Sequence, residues 1–104
     1  MTKKEKESLT AEINKIVAPM GGSFRFRTMR DINENGVFWP ETRRIVIKWT
    51  AGPRTLAHEI AHLDEYNQFG ETDCTRGRHF KIQELWVKKL TQQGIYKKYL
   101  NLVG

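Results

Sequence analysis

Three side chains within five residues carry the chemistry of this sequence. Residues 56–63 read Leu-Ala-His-Glu-Ile-Ala-His-Leu, so His58 and His62 stand four apart with Glu59 beside the first. On a helix, four residues make slightly more than one turn, which puts both imidazoles on one face. Two imidazoles so placed can converge on one Zn²⁺ at ~2.0–2.1 Å each. A carboxylate next to the first of them can take a proton from water, the role of general base in metal-assisted hydrolysis. Hydrolysis of a peptide bond, with a protein or peptide as substrate, is the reaction expected of the motif. Leu56, Ile60 and Leu63 fall on the opposite face, and Ala57 and Ala61 let neighbouring elements approach closely.

Two histidines do not complete a catalytic zinc site, which ordinarily takes three protein ligands and keeps one position open. Glu65 shares the helical face but lies seven residues past His58, ~10.5 Å along the axis at 1.5 Å per residue. One ion cannot comfortably gather all three from one helix, so the third ligand is expected from another element. His79 leads, as the remaining histidine and seventeen residues beyond His62; Cys74, Asp73 and Glu71 in the intervening segment, and Glu84 further on, are its rivals. An oxyanion partner is also needed, for which Arg78, Tyr66, Tyr96 and Tyr99 are the available donors.

The elements that must position these groups follow from periodicity. Leu9, Ile13, Ile16 and Val17 predict a helix over 8–18, ended by Pro19 and Gly21-Gly22, with residues 1–7 as a mobile lead-in. Ser23–Thr28 alternates as a strand, Asp31–Gly36 is a turn region, and Val37–Trp39 is a second short strand. Arg44–Trp49 is a third, with Ile45, Ile47 and Trp49 on one face. Pro53 opens the helix that carries the motif, and Gly70 ends it near Phe69. A further helix is expected over 78–93, with Ile82, Leu85, Trp86 and Leu90 inward. Ile95, Tyr96, Tyr99, Leu100 and Val103 suggest a short docked tail. Strands joined by short turns are antiparallel by default, so the class is α+β with an antiparallel sheet.

With 104 residues the chain suits one domain, spanning 1–104, with a small core. A single cysteine excludes a disulfide framework and suits a reducing, cytoplasmic setting. No apolar run approaches the ~18 residues of a membrane span, and the charged start has no apolar segment of a secretory signal. The net charge of +6 conceals a segregation. Residues 58–75 have no Lys or Arg and hold Glu59, Asp64, Glu65, Glu71 and Asp73, within a remainder of +11. Arg25, Arg27 and Arg30, then Arg43, Arg44 and Lys48, and the Lys-rich C-terminal segment, could meet nucleic-acid phosphates.

The motif, together with the order helix, three strands, motif helix, helix, resembles the SprT-like (Spartan-type) minimal zinc peptidases of the zincin group over residues 8–93. The resemblance implies a minimal zincin-like fold and one zinc ion, with His58 and His62 as ligands and Glu59 as base. It makes His79, followed by Phe80, the third-ligand segment, though here Gly77 precedes that histidine where the family has a glycine after it. The family's accessory zinc ribbon needs several cysteines, and this sequence has one. The resemblance further implies action on DNA-associated proteins and a substrate bound as an added strand, for which Arg44–Trp49 is the nominated edge. A reading from another class is a non-catalytic, zinc-stabilised module that binds nucleic acid or a protein partner. Glu59 separates the two, since a purely structural site has no use for a carboxylate beside its ligand.

Overall fold

The computed structural model describes residues 2–27, 34–48 and 50–103, with side chains as far as residue 101. Arg30 of the basic group, the Asp31 end of the turn region, and Trp49 of the third strand lie outside the described residues. The elements are α1 (Lys3–Val17), β1 (Ser23–Arg27), β2 (Gly36–Trp39), β3 (Arg44–Lys48), α2 (Pro53–Phe69), α3 (Gly77–Gln92) and α4 (Ile95–Val103). This is the expected α+β class.

α1 begins five residues before its predicted start. Thr2 and Glu5 cap it reciprocally: the Glu5 N–H donates to Thr2 Oγ1 (3.1 Å) and the Thr2 N–H to Glu5 Oε1 (3.0 Å). Residues 3–7, expected as a mobile lead-in, are therefore its first turns. Leu9, Ile13 and Val17 are buried at helical spacing. Asn14 ties the helix to the sheet through both halves of its amide, donating to Phe24 O (3.0 Å) and accepting from the Phe24 N–H (2.9 Å).

The sheet is mixed, where an antiparallel one was expected. Its order is β1-β3-β2: β2 and β3 form an antiparallel hairpin, and β1 runs parallel to β3, pairing Phe24 with Ile45 and Phe26 with Ile47. The default rule fails because β3, not β2, takes the place beside β1. As the central strand, β3 buries Ile45, Val46, Ile47 and Lys48. The β2–β3 hairpin then acts as part of the crossover that a parallel pair requires.

One sheet face packs against α2. Leu56, Ala57, Ile60, Ala61 and Leu63 join Leu9, Ile13, Phe24, Ile45 and Ile47 in one core. α2 ends at Gly70, whose φ of 73° is the left-handed conformation that closes a helix most easily with glycine. α3 packs on α2, and the Trp86 indole N–H donates to Asp64 (2.8 Å). Leu85, expected inward, is 57% exposed. The inner face of α3 is His79, Ile82, Gln83, Trp86 and Leu90, and turning the two polar residues toward α2 rotates Leu85 outward. In α4, Ile95 and Tyr99 dock in the core, while Leu100 stays exposed. Among the described residues, no helix is long and apolar enough to cross a membrane.

Candidate metal centre

α2 presents His58 and His62 one turn apart, with their Nε2 atoms 3.2 Å from each other. Two nitrogens bound to one tetrahedral zinc at ~2.0–2.1 Å stand about 3.3–3.4 Å apart, so the spacing suits a shared ion. α3 starts beside this pair and brings His79, which is 1% exposed. Its ring centroid lies 4.7 Å from that of His58 and 4.2 Å from that of His62. His79 Nε2 is 3.4 Å from His58 Nδ1 rather than from its Nε2.

Each of the three rings is held from behind by its Nδ1 atom. His58 Nδ1 faces Gln83 Oε1 (2.7 Å), His62 Nδ1 faces Thr72 Oγ1 (2.6 Å), and His79 Nδ1 faces Glu65 Oε1 (3.3 Å). The tautomers follow. Glu65 is fully buried; burial opposes its charge, but hydrogen bonds from Thr72, Arg78, the Asp73 N–H and His79 outweigh it and hold its pKa at about 2. It is therefore an acceptor only, and Thr72 must donate its one hydroxyl proton to it (2.6 Å). Thr72 then accepts from His62 Nδ1–H, Glu65 accepts from His79 Nδ1–H, and the Gln83 carbonyl accepts from His58 Nδ1–H. His79 Nε2 stands 3.4 Å from His58 Nδ1, the same nitrogen that meets Gln83. The His58 and His62 Nε2 atoms, 3.2 Å apart, could hold one cation between them. Burial first, and then the neighbouring imidazoles, push the His62 pKa down to about 4 and lower that of His79, so both are neutral near pH 7.

The rival ligands fall into two groups. Asp73 is turned to Thr75 and Arg76, Glu71 to Arg76 and Arg78, and Glu84 pairs with Arg54. Cys74 is different: its Sγ and one nitrogen each of His58 and His62 all lie within 4.8 Å of one another. Glu65 is equally close to His62 and His79, but its oxygens are engaged: Oε1 accepts from Thr72 and the Asp73 N–H (3.0 Å), and Oε2 from Arg78 (2.7 Å). It is an anchor rather than a ligand. The axial distance that removed it from His58 is the distance that puts it behind His79. Gln83, four residues after His79 on one helix face, left a legible trace in the sequence; Thr72 left none.

Glu59 is 4% exposed, and burial raises its pKa to about 7. Its Oε1 stands 4.0 Å from His62 Nε2. Gly36 makes room for it: a Cβ at that position would come within 3.0 Å of Glu59 Cγ and 2.9 Å of Thr55 Cγ2. Glu59 opens on a cleft of about 630 Å³, walled on one side by Val37, Phe38 and Trp39 of β2 and by Pro40 after it, and on the other by His58, Glu59, His62 and Thr72. The Phe38 ring lies parallel to that of His62, 6.2 Å away.

Two expectations do not survive this geometry. β3 is paired on both edges, so it cannot receive a substrate strand; the strand along the cleft is β2, whose outer edge pairs with no described strand. None of the four proposed oxyanion donors lines the cleft. Arg78 is engaged by Glu65 and stacks on Phe69 (3.9 Å), Tyr66 packs between Phe38 and Arg43, Tyr96 lies against the core and Tyr99 within it. No protein-family model, no curated protein and no solved structure matches this chain.

Proposed function

We propose that this chain is a zinc-dependent metallopeptidase of the zincin type, akin to the SprT-like peptidases, with His58, His62 and His79 as zinc ligands and Glu59 as general base. The observation that carries this reading is the pair of imidazoles one turn apart on α2, whose Nε2 atoms stand 3.2 Å from each other while their Nδ1 atoms face Gln83 and Thr72, with the His79 ring packed against both. A zinc ion held there supplies Lewis acidity, lowering the pKa of water to about 7 and polarising a carbonyl. Glu59 takes the proton from the attacking water and returns it to the leaving amine. The outer edge of β2, which pairs with no described strand, offers an extended peptide a place to add as a strand, with Trp39 and Phe38 meeting its side chains. An intracellular setting is part of the same reading, since the one cysteine is an exposed thiol.

The test is metal dependence. Purified protein is expected to hold one zinc per chain and to cleave an unfolded protein. Chelation should abolish cleavage, and added zinc should restore it. A chain that takes up no zinc, or a zinc-loaded chain that leaves the unfolded protein intact, overturns the reading.

A second property is favoured by the sheet face turned away from α2. Strand alternation puts Arg25, Arg44 and Trp39 there, all exposed. Cations interleaved with an aromatic suit single-stranded nucleic acid, and this face would bring the peptidase to proteins bound there. The expected result is binding of single-stranded DNA that weakens as salt rises, with Arg25→Ala plus Arg44→Ala lowering the salt slope by about two. Binding indifferent to salt would remove it.

A further inference from the structure

We propose that the groove between α1 and β1 docks a short acidic peptide segment of a partner protein, laid in extended form along the outer edge of β1. The strand order β1-β3-β2 puts this groove on the sheet edge opposite the metal cleft, and the proposal does not depend on the zinc reading.

Asn14 closes one end of the groove. Its amide clamps α1 to both backbone groups of Phe24 (3.0 and 2.9 Å). Nearer the start of α1, helix and strand enclose a space of about 410 Å³, walled by Lys3, Lys6, Thr10 and Ala11 of α1 and by Arg25 and Phe26 of β1. Backbone directions repeat every two residues along a strand. Phe24 turns its N–H and C=O outward, so Phe26 turns its own the same way, at the groove. No described strand pairs with this edge. A donor and an acceptor side by side match a peptide backbone, whereas a phosphate chain has no N–H to give the carbonyl. From Thr10 to Lys3 the helix rises ~10.5 Å, the length of about three extended residues.

Charge selects the segment. Lys3, Lys6 and Arg25 are set against one carboxylate in the lining, Glu7. Lys3 and Arg25 form no ion pair with any described residue. Alternate side chains of an added strand share a face, so carboxylates at every second position of the segment would meet these cations. Ala11 is exposed and small, leaving room for an apolar side chain between them.

The probe is a fluorescein-labelled eight-residue peptide of alternating Glu and Val, with the Lys and Val peptide beside it, read by fluorescence anisotropy. The acidic peptide is expected to bind and the basic one to stay free. Lys3→Glu plus Lys6→Glu should weaken binding by about tenfold or more. Acidic residues suit the first turns of a helix, so this variant keeps its fold, as circular dichroism checks. Ala11→Trp changes no charge and fills the groove; it should weaken binding as much. Wild type that ignores the acidic peptide overturns the proposal. So does an Ala11→Trp variant that binds it as wild type does, since the attraction is then to surface charge and not to the groove. If Ala11→Trp weakens binding of oligothymidylate and leaves the peptide unaffected, the groove is a phosphate site and the peptide assignment falls. Zinc content should be equal in all three proteins, which keeps this outcome apart from that of the metal centre.

Discussion

Glu59→Gln is expected to lower kcat for cleavage of an unfolded protein by about 10²–10⁴-fold, the range that a positioned general base contributes. The substitution keeps size and shape, so the side chain still fits the space that Gly36 leaves for it. What disappears is the ability to accept a proton while buried beside the metal ligands. Zinc content should be unchanged, because His58, His62 and His79 are each held by other partners. Metal analysis and circular dichroism of the variant, beside its rate, make the measurement decisive. Equal rates for the two proteins would remove Glu59 from the chemistry, and a loss of zinc would make it a structural group.

The second large effect is expected at Glu65. Its carboxylate joins three segments: α2 on which it sits, the turn through Thr72 and the Asp73 N–H, and the start of α3 through Arg78 and His79. Glu65→Gln removes an ionised acceptor from a fully buried position and puts an amide donor in front of donors. Stability is expected to fall by about 3 kcal/mol, and zinc affinity by about 10–100-fold, because His79 loses the group that fixes its tautomer. The acid limb carries a further signature. The folded pKa of about 2 lies below the ordinary 4.5, so this group's contribution is complete above about pH 4.5 and is lost as pH falls toward 2. His62 acts in a higher window. Its folded pKa of about 4 lies below the ordinary 6.5, so the unfolded chain protonates first, and metal-free protein loses stability between pH 6.5 and 4. Denaturant titrations of metal-free protein across pH 7 to 2 should show both losses in the wild type and only the upper one in Glu65→Gln. A variant as stable as wild type at pH 7 with undiminished zinc affinity would reduce Glu65 to a bystander.

Local periodicity made much of this molecule legible. Leu9, Ile13 and Val17, then Leu56, Ile60 and Leu63, mark the buried faces of two helices because a helical repeat leaves its trace within a few residues. The spacing of His58 and His62 is legible for the same reason. The sheet order was not, since Phe24 meets Ile45 across twenty-one residues and nothing near either announces which strand will lie between β1 and β2. The rotation of α3 was hidden too. Apolarity alone puts Leu85 inside, whereas His79 and Gln83 turn that face because their polar atoms find partners only on α2. Glu65 shows where linear reasoning stops: its distance from His58 excludes it as a shared ligand, but its part as anchor depends on where α3 returns.

Asn14 has a consequence for the behaviour of the chain in crowded solution. An edge strand with idle N–H and C=O groups recruits foreign strands and seeds aggregation. Asn14 occupies the outward N–H and C=O of Phe24, so β1 offers a passing strand no such pair at its middle. At this position β1 is closed to sheet growth, whereas the outer edge of β2, along the cleft, pairs with no described strand.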